Sequence, residues 1–218
     1  MAVLEWDKKG EREYHMGVSK GVLYVDDYKK GVAWNGLINV TESPSGAEAT
    51  DLYADNIKYG SFRSAETYGA TIECYTYPDE FAKCNGMVEV TKGMKIGQQK
   101  RSEFGFCFRT EVGNDTPDDS DDYYIIKLIY GATASPSEES HDTINDSPDA
   151  ATMSFELETT PVNVTGHRAT ALVELNTKDL SETQIAAIEK VLYGDTDTEP
   201  RLPMPDEVKT ILEDALLP

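Results

Sequence analysis

Five aspartates, Asp115, Asp118, Asp119, Asp121 and Asp122, fall within eight consecutive positions, and acids this close together are the raw material of a hard-cation site. A calcium loop of the EF-hand kind needs oxygen ligands at alternate positions, glycine at the sixth and glutamate at the twelfth. This spacing misses that pattern, so the residues read as a solvated loop, about 113–122, extended by its own repulsion. His15, His141 and His167 lie far apart and form no HxH or HExxH pattern. Ser140, His141 and Asp142 are adjacent, but a catalytic triad draws its members from separate elements, so adjacency is no signal. Cys107 has Arg109 two residues on. A nucleophilic thiol needs a base or cation to depress its pKa, and a half-buried strand cysteine is the simpler reading. A glycosidase uses two carboxylates, yet among 40 acids any pair can be nominated. The glycines are dispersed as single turn residues, with no phosphate-cradling loop. The residues therefore nominate no catalytic or metal site and call for no cofactor.

The charge points elsewhere. The chain has 218 residues, with 40 acidic against 20 basic side chains and a net charge of −20. Nucleic acid is gripped through Lys and Arg, so this chain should neither bind a phosphate backbone nor adhere to an anionic membrane. Its three cysteines, Cys74, Cys84 and Cys107, have no CxxC spacing, which argues against a disulfide framework and a zinc site. The amino-terminal stretch MAVLEWDKKGEREYH lacks the apolar core of a secretory signal, and no run approaches the ~20 apolar residues of a membrane span. Synthesis in a reducing cytoplasm is the expectation.

The elements follow from hydrophobic period. In GVAWNGLINVTE, Val32, Trp34, Ile38 and Val40 share one face. In ATIECYTY, Ala70, Ile72 and Cys74 alternate with polar residues. FGFCFRTEV places Phe104, Phe106, Phe108 and Val112 on one side, with Gly105, Cys107, Arg109 and Glu111 on a wetter one. MSFELET alternates Met153, Phe155 and Leu157 with Ser154, Glu156 and Glu158, and ATALVELN repeats the scheme from Ala169 to Leu175. One dry and one wet face per strand is the pattern of an antiparallel sheet. YYIIKLIY is apolar on both faces apart from Lys127, which predicts a central strand, covered on both sides or meeting another subunit. Asn85-Gly86 predicts a hairpin turn. Ser181 with Gln184 makes a capping box for a helix over 181–193 ending at Gly194, and PDEVKTILEDALL predicts a second, short helix. The fold expected is mainly β (α+β): an antiparallel sandwich or barrel over 1–194, then an extended connector and a carboxy-terminal helix over 195–218. The stretch 41–68 is too long for an ordinary connection. Its Tyr53, Tyr59, Phe62 and Tyr68 mark a segment that orders against something, and self-association is the function these features suggest.

Over GVAWNGLINVTESPSGAEATDLYADNIKYG, and on through SAETYGATIECYTYPDEFAKCNG, IGQQKRSEFGFCFRTEVGNDT, KLIYGATASPSEES, NDSPDAATMSFELETTPV and VLYGDTDTEPRLPMPDEV, the chain resembles the major tail protein of long-tailed, non-contractile bacteriophages, the tail tube subunit. The resemblance covers nearly the whole chain. It implies a structural virion protein, akin in fold to type VI secretion tube proteins. Copies would form rings, commonly hexameric, around a β-barrel lumen, and the rings would stack into a tube through which the genome is ejected. Partners would be other copies, the tape-measure protein, the tail terminator and tail-tip proteins, with DNA passing unbound. It implies no catalytic residue and no cofactor, and it makes 41–68 the loop that reaches the adjacent ring. A carbohydrate-binding β-sandwich of a phage or cell-surface structure is the competing reading, with an acid-pair hydrolase third.

Overall fold

The computed structural model describes residues 3–116, 123–141, 143 and 150–216. In chain order the strands are β1 (Tyr14–Val25), β2 (Lys30–Ala33), β3 (Leu37–Glu42), β4 (Ser45–Gly46), β5 (Ala49–Ala54), β6 (Ile57–Arg63), β7 (Glu66–Thr67) and β8 (Gly69–Cys74). After a short helix, α1 (Phe81–Cys84), come β9 (Val88–Thr91), β10 (Met94–Ile96), β11 (Phe104–Gly113), β12 (Tyr123–Ala134), β13 (Met153–Thr159) and β14 (Leu172–Asn176). Helices α2 (Glu182–Tyr193) and α3 (Pro205–Asp214) follow. One antiparallel sheet runs β2-β1-β11-β12-β13-β8-β3, and β14 also pairs with β12. The expected mainly-β architecture with two late helices is present. The sheet curls, so that β3 comes back towards β1, but among the described residues no ladder closes it into a barrel.

The curl makes two cores. Inside it lie Leu23, Trp34, Ile72, Phe81, Phe104, Phe106, Ile129, Phe155 and Leu157. On the outer face, Tyr24, Cys107, Ile126, Leu128, Tyr130 and Leu175 pack beneath Ile188 and Leu192 of α2, Leu202 of the connector and Val208 of α3. This explains why YYIIKLIY is apolar on both faces: β12 is central, with β11 on one edge and β14 then β13 on the other. It also corrects the wet face expected of β11. Cys107 is fully buried, and a Cβ on Gly105 would stand 2.4 Å from Leu202, so only glycine lets the connector lie that close.

Gly131 marks where β12 changes partner. Ile129 is opposite Leu172 of β14, and Ala132 is opposite Thr159 of β13. An extra residue in the ladder with β11 lies between them, and Gly131 takes it up at φ +61°, a left-handed conformation that L side chains disfavour. The bulge resets the alternation, so Tyr130 faces the outer core and Ala132 the inner.

Helix α2 starts as its sequence predicts. The Ser181 side chain accepts from the Gln184 amide, and the Gln184 side chain accepts from the Ser181 amide. Gln184 also donates to the Leu212 carbonyl at 2.9 Å, tying α2 to α3. The connector is bonded into the fold: the Leu202 amide donates to the Tyr28 carbonyl, the Gly31 amide to the Pro200 carbonyl, and the buried Tyr130 hydroxyl to the Pro203 carbonyl at 2.8 Å.

Three local expectations are corrected. GVAWNGLINVTE is two strands, not one. It turns at Asn35-Gly36, and β2 pairs with β1 while β3 pairs with β8. Asn85-Gly86 closes α1 rather than a hairpin, and the hairpin lies further on, turning at Lys92-Gly93 between β9 and β10. The stretch 41–68 is a built element, as the next section describes.

Candidate assembly surface

Between β3 and β8 the chain leaves the main sheet as an arm. Its root is the two-residue ladder β4–β7, and its shaft is the hairpin β5–β6. The shaft turns at Asp55 and Asn56, both left-handed (φ 50° and 63°). This is the two-residue turn whose twist suits a hairpin, held by the residue types that best tolerate that conformation after glycine. Phe62 stands opposite Thr50 and Tyr53 opposite Lys58. Tyr59 is the extra residue where the register slips between Leu52 and Tyr53. Lys58 pairs with Asp51 at 2.7 Å, which holds the Asp51 carboxyl below the usual carboxylate range.

Three of the arm's four aromatic side chains have no seat among the described residues. Tyr53 is 71% exposed, Tyr59 77% and Phe62 66%, with Ile57 and Leu52 beside them. Tyr68 differs from the other three. It is half-buried against the inner core, its carbonyl accepts from the Thr159 hydroxyl, and it roots the arm. A two-stranded ribbon alone in water is at best marginally stable, and large apolar groups crowded on one stalk make the arm a candidate contact surface.

A second excursion, 81–102, leaves the sheet between β8 and β11. It comprises α1, the hairpin β9–β10 and the return to β11. Phe81 is fully buried against Trp34, their ring centroids 4.7 Å apart, and fixes the base. The Gln99 amide donates to the Gly86 carbonyl and the Ser102 amide to the Lys83 carbonyl. Arg101 donates to the Asn85 side chain at 3.0 Å and the Ala134 carbonyl at 2.9 Å. The hairpin exposes Val90 and Met94 by more than half, and Val88 and Ile96 by more than a third.

The acidic residues are held differently from one another. Asp115 fastens the amino-terminal segment: its Oδ1 accepts from the Gly10 amide at 2.7 Å and its Oδ2 lies 3.4 Å from Arg12. Asp118, Asp119, Asp121 and Asp122 lie outside the described residues, as does Asp142. Among the described residues no three His, Cys, Asp or Glu side chains converge on a metal-binding arrangement. Lys127 sits partly buried between Glu42 and Glu174. Burial pulls its pKa down, but the bonds to the two carboxylates outweigh it and keep the ammonium charged, so the triad is a satisfied ion cluster without a free base.

The remaining nucleophile candidates are closed off. Burial pushes the Cys107 thiol up to about 12 and the Cys84 thiol up to about 11, far from the depressed values a reactive thiolate needs. Arg109 is engaged elsewhere, 3.6 Å over the Tyr124 ring and 3.2 Å from Glu189. The carboxylates that shift, among them Glu13, Glu80, Asp206 and Glu207, move downward, each held first by a hydrogen bond to its charged state. A general acid needs the opposite shift.

No family model matches the chain, and no curated protein matches it. Solved structures do align with it. One is a chain of the sheath–tube complex of the PVC extracellular contractile injection system in its extended state, 13% identical, with a TM-score of 0.32 over 72% of this chain and 88% of that one. Another is the tube-terminating cap of the anti-feeding prophage, 9% identical, TM-score 0.33, covering 81% and 96%. A third is the PVC sheath/tube terminator, 14% identical, TM-score 0.28, covering 79% and 99%. Two of the three names are of parts of a contractile injection system, and the other is of the cap that terminates a prophage tube. None of these likenesses fixes an assembly for this chain. Among the described residues no helix is long and apolar enough to cross a membrane.

Proposed function

We propose that this chain is a structural subunit of a phage-type tail tube of the long-tailed, non-contractile kind. Copies form rings, six to a ring, and stack through the arm, and the bore carries DNA outward without binding it. The single observation that carries the reading is the arm: a β hairpin built out from a well-packed domain with Tyr53, Tyr59 and Phe62 left in water. The sequence resemblance supplies the geometry of the assembly. The tape-measure, terminator and tail-tip proteins are then its partners in the virion, and the host bacterial cytoplasm is where it is made.

The charge fits this work. DNA carries about one negative charge per 1.7 Å of axis. A basic bore would hold it, and an acidic one repels it across a water layer. The same charge opposes assembly: six copies at −20 each bring about −120 to a ring, repelling its neighbours over a Debye length of ~8 Å at physiological salt. Assembly therefore depends on apolar contact and strengthens as salt screens the repulsion. Sedimentation of purified protein between low and moderate NaCl checks this. Larger species at the higher salt are expected, and tubes that dissociate as salt rises would contradict the placement of charge.

A further inference from the structure

The arm needs a seat on another copy, and the charge distribution indicates where it lies. Within 81–102 there are five basic residues, Lys83, Lys92, Lys95, Lys100 and Arg101, against one acid, Glu89, a net of +4 on a chain whose total is −20. Lys95 pairs at 2.8 Å with Asp79, whose side chain is 93% exposed, and a pair that open to water is worth little. Lys83, Lys92 and Lys100 make no ion pair among the described residues. The arm has the opposite character. Residues 45–67 hold Glu48, Asp51, Asp55 and Glu66 against Lys58 and Arg63, a net of −2. Only Asp51 among those acids is ion-paired within the described chain. Asp55 stands at the turn.

We propose that the arm of one copy docks on the 81–102 lobe of the next. The reading rests on the tube-subunit assignment only in requiring that copies associate. Each surface is an exposed two-stranded ribbon carrying apolar side chains, Tyr53, Tyr59 and Phe62 on one, Val90 and Met94 on the other. Water is driven from both when they meet, and this supplies the affinity. The charges choose the partner: the remaining 196 residues sum to −24, so the lobe is a basic island on an acidic chain and the favoured seat for an acidic arm. Complementary charge of this kind decides specificity and on-rate more than affinity. Arm and lobe are different surfaces, so the contact is head-to-tail unless two copies exchange arms reciprocally. Head-to-tail contacts propagate into closed rings or open stacks rather than ending at a dimer.

The test is a charge exchange at fixed ionic strength, read by sedimentation velocity. Lys92→Glu, Lys95→Glu and Lys100→Glu together take the lobe from +4 to −2 at exposed positions, so circular dichroism should be unchanged. The concentration needed for assembly is expected to rise at least tenfold. Glu48→Lys with Asp55→Lys reverses the arm and is expected to do the same. Mixing the lobe-reversed chain with the arm-reversed chain pairs opposite charges wherever the two alternate, and is expected to restore assembly that neither shows alone. Combining all five substitutions in one chain sets a +2 arm against a −2 lobe and is expected to restore assembly to within a few-fold of the original. Assembly unaffected by the lobe substitutions, or a five-substitution variant no better than its parents, overturns the docking while leaving the tube reading intact. A parent chain that stays monomeric at every concentration overturns both.

Discussion

Replacing Tyr53, Tyr59 and Phe62 together with threonine should abolish assembly and leave the fold intact. Threonine keeps the strand preference of the hairpin while removing its rings. The three side chains are 71%, 77% and 66% exposed. With roughly 200 Å² for an aromatic side chain, they offer about 430 Å² to a partner, a gross gain on the order of 11 kcal/mol at about 25 cal/mol/Å². Ordering of the arm and imperfect burial of the tyrosine hydroxyls reduce this, and truncating an interface anchor costs about 2 kcal/mol each. A loss near 6 kcal/mol, about four powers of ten in association, is therefore expected at each contact. The isolated chain loses almost nothing, since exposed substitutions away from special features change stability by about 0.5 kcal/mol or less. Size-exclusion chromatography with light scattering reads the first effect and thermal melting the second. A variant that assembles within threefold of its parent would refute the role of the arm. A variant whose melting collapses would show that the rings support the fold instead.

Two further outcomes concern the domain itself. Gly131→Ala would place a methyl group 2.0 Å from the Thr160 carbonyl oxygen at φ +61°; strain of this kind costs about 1–3 kcal/mol before the clash is added, so a fall in melting temperature of at least several degrees is expected, and unchanged melting would mean that β12 does not bulge there. The acid response follows from the depressed carboxylates. Glu207 is held by Arg201, and Asp195, held first by Lys190, titrates near 2 instead of 3.8. Folded carboxylates below their unfolded values take up protons later than the unfolded chain does, so their stabilisation is present above about pH 4.5 and fades as pH falls towards 2. Thermal melts from pH 6 to 2 should decline across that window, and a melting temperature that rises there would contradict the assignment.

The elements legible in the sequence are those whose packing obeys one period throughout. Met153, Phe155 and Leu157 alternate on β13, the capping box at Ser181 opens α2, and the doubly apolar YYIIKLIY is the central strand. What escaped the pattern has a physical cause in each case. Strand β1 carries two extra residues, one between Met16 and Ser19 and one between Ser19 and Val22, and each bulge breaks the alternation by which a strand is recognised. The buried second face of β11 depends on the connector around Leu202, nearly a hundred residues later, which no local window contains. The arm's length and aromatic residues single it out in the sequence, but β5 and β6 leave every side chain exposed or half-exposed and so show no dry face. The signal that would have identified it is Asp55-Asn56 between two β-prone runs. The basic excess of 81–102 was present in composition all along, hidden by averaging over a chain of net charge −20.

Electron microscopy of the purified chain at moderate salt, where repulsion is screened and the arm is free to dock, puts the central claim to its most direct test. Rings or stacked rings with an open central channel are the predicted result, and they should be absent from the threonine-substituted arm variant under the same conditions. A field of single particles with no channel-bearing species at any concentration, or rings that form equally well without the arm's aromatic side chains, would contradict it.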